Sequence, residues 1–197
     1  MKLHTSLTSP FGHKCRLVVQ LANIVDRVEI VQPDLKSEEY AKLNPLAKVP
    51  ALELNDDRTL INSPLISAYL ASQSNSDEIY PVGEKQKWDA LNMEAISDGI
   101  TEAAVLVFME GMRPEQEQSV AWIDRQRKKI KAGLAVLEAQ ASGFGDDVHI
   151  GLLLLAALLC WFDLRGVVAD WRAQYPNLSV WSDGFFKRDF YQAAEPD

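Results

Sequence analysis

The sequence predicts an α/β domain followed by an all-helical one, and three features carry that expectation. The first third of the chain changes element type every few residues, in the order β-α-β-α-β-β-α. A polar stretch at 74–85, SNSDEIYPVGEK, contains a proline and a glycine and reads as an interdomain linker. Everything after it has helical periodicity, including the apolar run GLLLLAALLCWF at 151–162. The expected organisation is a first domain over 1–75, a linker over 76–84 and a helical-bundle domain over 85–197.

Residues 2–6 and 28–32 are strand-like, the second (VEIVQ) because its apolar residues alternate. Between them, 11–22 places Leu17, Val18, Leu21 and Ala22 on one helical face. Ser9 and Pro10 open that helix. A serine N-cap accepts a bond from an orphan backbone N–H, and proline at the first helical position loses nothing by lacking its own. Residues 37–43 form a short helix begun by Ser37 and stopped before Pro45. Strands at 51–54 and 59–61 flank the turn Asn55-Asp56-Asp57-Arg58. Ser63-Pro64 then opens a helix over LISAYLAS, as Ser9-Pro10 does earlier. In the second half, 88–112 has a broad apolar face through Leu91, Ala95, Ile96, Ile100, Ala104 and Val107. Residues 115–141 set Ile123, Ile130 and Leu137 at heptad spacing, with Leu134 between them and a charged face in DRQRKKIK; helices at 149–169 and 178–186 complete the chain.

A β-α-β unit joined to a β-β-α unit, with Pro50 starting the third strand, is the thioredoxin arrangement. A cis peptide before Pro50 could present the backbone of Val49 to a peptide-like ligand; an ordinary edge proline is the alternative.

A net charge of −8 argues against a nucleic-acid partner or an anionic membrane surface. Two cysteines, Cys15 and Cys160, cannot make a disulfide framework, so a reducing, cytoplasmic location is expected. The start of the chain, MKLHTSLTSPFG, has no apolar core of signal-peptide length. The run at 151–162 is far short of the roughly 20 residues that a membrane span needs, so it reads as the buried central helix. His4, His13 and His149 have no metal-ligand spacing, and no metal is expected.

Ser9-Pro10 with Lys14 and Arg16, NPLAKVPAL at 44–52, NSPLI at 62–66, and in the helical part SDGI at 97–100, WFDLR at 161–165 and YPNL at 175–178 together carry a family likeness. The chain resembles the cytosolic glutathione S-transferases, most of all bacterial serine-type members loosely grouped with the theta and zeta classes. The resemblance implies a thioredoxin-like glutathione-binding domain before the helical bundle, glutathione as co-substrate, a homodimer and a detoxification role. It gives Ser9 a second function. A serine is too weak a base to remove a thiol proton at neutral pH, but it can donate a hydrogen bond to a thiolate and so lower the thiol pKa. The helix N-terminus adds positive potential there, with Thr8 next in line for the role. Ser63 and its N–H are implied at the γ-glutamyl carboxylate, and Lys48, Val49 and Pro50 at the glycine end and the strand-like backbone pair. Phe11 is also implied among the glutathione-binding residues. Phe11, Val105, Phe108, Met109 and Met112 are the expected walls for a small hydrophobic electrophile or a peroxide.

Two positions depart from the family pattern. Asn62 stands where an acid or glutamine is usual, which weakens the bond to the γ-glutamyl ammonium; Asp98 of the partner subunit is the candidate to compensate. His149-Ile150-Gly151-Leu152 replaces a capping box, at a cost of about 1 kcal/mol. These departures favour the rival reading, a non-catalytic binding or regulatory protein with the same fold. Cys-x-x-Cys is absent, with Ser9 and Gly12 in its place. A third reading, a disulfide reductase or lyase acting through Cys15, competes with Cys15 as a small buried hydrophobe.

Overall fold

The first domain is organised around β1 (Lys2–His4), and the computed structural model describes residues 1–74 and 77–195. The sheet order is β2-β1-β3-β4. β2 (Glu29–Val31) runs parallel to β1, while β3 (Ala51–Glu53) and β4 (Thr59–Ile61) follow antiparallel. α1 (Pro10–Leu21) crosses from β1 to β2, α2 (Glu38–Leu43) precedes β3, and α3 (Ser63–Ala71) follows β4. This is a thioredoxin-like arrangement. Leu3, Leu17, Val18, Leu52, Ile66 and Leu70, drawn from strands and helices alike, are fully buried. β2 is an edge strand, and Ile30 stays 39% exposed. Its alternation therefore records strand geometry rather than burial.

Local chemistry sets the element ends. The Ser37 hydroxyl accepts from the Tyr40 N–H at 3.1 Å and starts α2. In the β3–β4 turn the Asp56 carboxylate accepts from the Arg58 N–H and guanidinium, while Asp57 takes φ 63°. The two Ser-Pro openings are not equivalent. Ser9 is the N-cap of α1, but the N-cap of α3 is Asn62, at φ 77°, and Ser63 lies inside the first turn. Asparagine tolerates that left-handed conformation better than most residues, so α3 begins one residue earlier than the repeat suggests.

The helical part comprises α4 (Glu84–Gly111), α5 (Val120–Gln140), α6 (Ile150–Arg165), α7 (Trp171–Gln174), α8 (Pro176–Phe185) and α9 (Asp189–Gln192). α6 is the central element. Its residues from Ile150 to Leu159 are buried, and it packs on both α4 and α1. Gly151 permits that approach: a Cβ there would stand 2.7 Å from both the Ala90 carbonyl oxygen and the Met93 Cβ. α6 ends at Gly166, φ 62°, rather than continuing to 169, because a left-handed C-cap suits glycine. α4 starts four residues earlier than expected, inside the polar stretch read as linker. The expected domain boundary between 75 and 76 lies outside the described residues. Within the same stretch Ile79 is buried, and its carbonyl accepts from the Ile150 N–H at 2.8 Å. That bond serves one orphan donor of α6, whose N-cap His149 makes no side-chain capping bond. α7 and α9, four residues each, are too short to show any periodicity in the sequence.

α1 also joins the two parts of the chain through charge. Lys14, with no exposed side-chain surface, donates to Glu94 of α4 at 2.9 Å. Removing one partner of such a pair leaves the other charge buried and uncompensated. Lys14→Met is expected to lower unfolding stability by about 3–5 kcal/mol, and Lys14→Met/Glu94→Leu to recover most of it. Urea denaturation of both variants checks this; equal destabilisation would show that packing, not charge, dominates. At the α6 N-cap, His149→Ser should stabilise the fold by about 1 kcal/mol, read as a rise of a few degrees in the thermal midpoint.

Candidate functional site

One edge of the sheet gathers most of the residues singled out in the first domain. Leu3 faces Leu52 and His4 faces Ala51, while Ala51 also faces Ile61. The loop leaving β1, the Val49-Pro50 entry to β3 and the Asn62-Ser63 exit from β4 therefore share one end. Strand register, not sequence proximity, brings them together.

Ser9 sits at that edge with φ −76° and ψ 125°, an N-cap conformation. Its Oγ accepts from the Gly12 N–H at 3.2 Å, and among the described residues the hydroxyl proton has no acceptor. Gly12 packs directly on the Thr5 side chain, where any Cβ would collide; this fixes the start of α1 against the end of β1. Arg16, buried behind the loop, donates through Nη2 to the Leu7 carbonyl at 2.9 Å and through Nε to the Ala194 carbonyl at 3.2 Å. Thr8 is engaged differently. Its Oγ1 accepts from Arg165 Nη2 at 2.8 Å and lies 3.2 Å from Ser6 Oγ. Of the two neighbouring hydroxyls, Ser9 has the uncommitted donor.

The Val49-Pro50 peptide is cis. Val49 is half-buried, and its N–H and carbonyl take no hydrogen bond among the described residues. Lys48 projects an exposed side chain while its carbonyl accepts from Tyr40 Oη at 2.8 Å and Asn44 Nδ2 at 2.6 Å. Asn62 is exposed and Ser63 is 3% exposed. α3 packs on α1, with Ser67 Oγ 3.7 Å from Cys15 Sγ. Asp98, on α4, is half-buried, and its Oδ1 lacks a partner. Burial raises its carboxyl above the usual range; Lys14 opposes this, and Glu102 and Glu94 reinforce it. No hydrogen bond links Asp98 to Asn62 or Ser63 within the chain.

A small cavity adjoins Ser9, walled by Thr8, Pro10 and His13 and by Ala157, Cys160 and Trp161 of α6. The α4 residues stand further out. Phe108 meets Trp161 edge-on, with centroids 5.6 Å apart. Phe11 and Val105 are half-buried, whereas Met109 and Met112 are 56% and 68% exposed. The α6 wall was not anticipated, because a run that is apolar all round does not reveal which side faces a cavity.

Burial shifts both cysteines and His13 toward their neutral forms. Desolvation pushes the Cys15 thiol up to about 11, with Lys14 opposing, and burial also raises Cys160. His13 is driven down to about 3 by desolvation and by Arg16, and its Nε2 has no partner. Among the described residues no group of His, Cys, Asp and Glu is arranged to hold a metal, and no helix is long and apolar enough to cross a membrane.

Comparison with known proteins bears on the family. Residues 8–73 match the model of the glutathione S-transferase N-terminal domain, and residues 120–184 that of the glutathione S-transferase C-terminal domain. A glutathione transferase family member from Pseudomonas fluorescens Pf-5, solved with bound glutathione, is 29% identical with a TM-score of 0.94, covering 100% of this chain and 98% of that one. A glutathione S-transferase from Methylobacillus flagellatus KT with glutathione bound is 32% identical, TM-score 0.91, covering 100% and 99%. The uncharacterised GST-like protein YibF of Escherichia coli strain K12 is 28% identical over 100% of this chain and 98% of its own length.

His13 makes the fold sensitive to acid. Between pH 6.5 and about 3 the unfolded chain binds a proton at this ring that the folded chain refuses, so stability falls as the pH drops through that window. From pH 7 to pH 5, His13→Gln should lose less stability than the wild type, by a margin of about 2 kcal/mol. Urea titrations at the two pH values measure the difference, and parallel losses would show that His13 is protonated in the fold.

Proposed function

The chain belongs to the glutathione S-transferase family, and from that premise we propose that it binds glutathione along the shared sheet edge and uses its thiolate to attack a small electrophile with an apolar body, or a peroxide. The observation that carries the proposal is the Ser9 hydroxyl, which accepts from Gly12 and keeps its own proton available at the start of a long helix. Donated to the glutathione sulfur, that proton favours the thiolate over the thiol. A free thiol titrates near pKa 8.5; lowering this by two units needs about 2.7 kcal/mol of preference for the anion. A hydrogen bond to a charged group, worth roughly 1.5–3 kcal/mol, together with the helix dipole, is of that size.

The rest of the tripeptide finds matching groups. Val49 offers a free N–H and carbonyl to the cysteinyl backbone, as an added strand would use them. The Ser63 hydroxyl and N–H at the start of α3 suit the γ-glutamyl carboxylate, and the Lys48 ammonium suits the glycine carboxylate. Asn62 accepts from the γ-glutamyl ammonium as a neutral amide, and Asp98 of the partner subunit supplies the missing charge in a homodimer. The electrophile lies beyond the sulfur, against Phe11, Trp161 and Phe108, with Val105, Met109 and Met112 farther out. Rate enhancement comes from ionising the thiol and from holding two reactants together. A cytoplasmic detoxification enzyme is the role that fits.

Retention on immobilised glutathione, then a pH–rate profile with an aryl halide, tests the proposal. Ser9→Ala should move the pH midpoint of kcat/KM up by one to two units and lower the rate at pH 7 by about 10- to 100-fold. An unchanged midpoint would remove Ser9 from the chemistry. Glutathione binding without turnover would support the non-catalytic alternative. Cys15→Ala should change the rate little, given its buried, protonated thiol.

A further inference from the structure

We infer that Arg165 is a specificity-determining cation of the electrophile subsite, and that the second substrate carries a carboxylate at the far end of its apolar body. The inference rests on the reading of Ser9 as the thiolate's partner. Its basis is placement. Arg165 is the last residue of α6, exposed, and turned toward the β1–α1 loop, where Nη2 donates to Thr8 Oγ1 at 2.8 Å. The guanidinium also lies over the Phe108 ring, 5.3 Å from its centroid, and Phe108 in turn packs against Trp161 of the cavity wall. A cation thus stands at the rim of the site, one residue from Ser9. Chain geometry limits the distance from this guanidinium to the Ser9 hydroxyl to about 11 Å.

The cation has no anionic partner there. Among the described residues Arg165 makes no ion pair, while Arg172, seven residues on, bridges Asp163 and Asp183 at 2.6 and 2.8 Å. A guanidinium has five N–H donors, and Thr8 takes one, so a fork remains for a carboxylate. An arginine in the last turn of a helix also complements the helix dipole. That role alone does not account for its reach across to Thr8. The protein as a whole carries charge −8, so its overall field repels anions. Capture of an anionic electrophile therefore calls for a local cation, and the apolar ring beneath Arg165 suits the body that carries the carboxylate.

Two glutathione conjugates test this by calorimetry at pH 7: S-(4-carboxybenzyl)glutathione and its neutral isostere S-(4-carbamoylbenzyl)glutathione. The wild type should bind the carboxylate about tenfold more tightly. Arg165→Gln should bring the ratio to within twofold of unity, and Arg165→Lys should keep part of it. A helix-end role would weaken both conjugates equally and leave the ratio unchanged. A wild-type ratio near one overturns the inference even if Arg165→Gln folds poorly. If glutathione itself binds while the ratio is near one, only Arg165 is misassigned. If neither glutathione nor either conjugate binds at millimolar concentration, the reading of Ser9 fails first and takes this one with it.

Discussion

Lys14 takes its charge to a place without solvent, between the helix that carries the candidate site and the first long helix of the bundle. A charge moved there loses its hydration, and only a close, well-aimed counter-charge offsets that loss. Glu94 does so at 2.9 Å. The consequence is positional: α1 cannot slide or rotate against α4 without separating the pair. α3, α6 and α9 hold the other sides of α1. Since Ser9 is the first cap of that helix and the small cavity lies between it and α6, the site inherits its geometry from this arrangement.

On the proposed reading, the same edge stabilises an anion with modest groups, without a strong acid or base. The buried histidine and thiols nearby are held in their neutral forms. Desolvation keeps His13 unprotonated and both thiols protonated. The accessible groups are a hydroxyl with a spare donor, the free backbone of Val49 and the start of α3. In the proposed function each favours an anion or a peptide backbone by orientation, not by proton transfer. Arg165 extends that logic outward, adding a full charge where the apolar wall ends.

Much of this was legible because it depends on near neighbours. The N-cap at Ser9, the Ser37 start of α2 and the Asp56–Arg58 turn each involve a side chain and a backbone group within three residues. Buried α6 was legible from its uninterrupted apolar run, although its true end at Gly166 was not, since Val167 and Val168 continue the apolar pattern. At α3 the repeated Ser-Pro suggested a serine cap, but the backbone turn out of β4 places Asn62 in the left-handed region and makes it the cap. For the same reason of locality, the capping bond missing at His149 could be read, whereas its partial replacement by the Ile79 carbonyl, from a stretch read as polar linker, could not.

By itself the sequence determined most of the segments that become helix and strand, the short α7 and α9 excepted, the division into an α/β part and a helical part, and a set of short motifs that resemble the glutathione S-transferases. The elements and their division follow from periodicity, capping and turn chemistry, which act over a few residues, and the family likeness from resemblance of the motifs. Only the tertiary structure decided that α6 rather than α4 walls the cavity beside Ser9, that Lys14 meets Glu94, and that Arg165 reaches Thr8 across 157 positions of chain. Such contacts depend on which faces of separately folded elements meet, and burial sets that for the molecule as a whole.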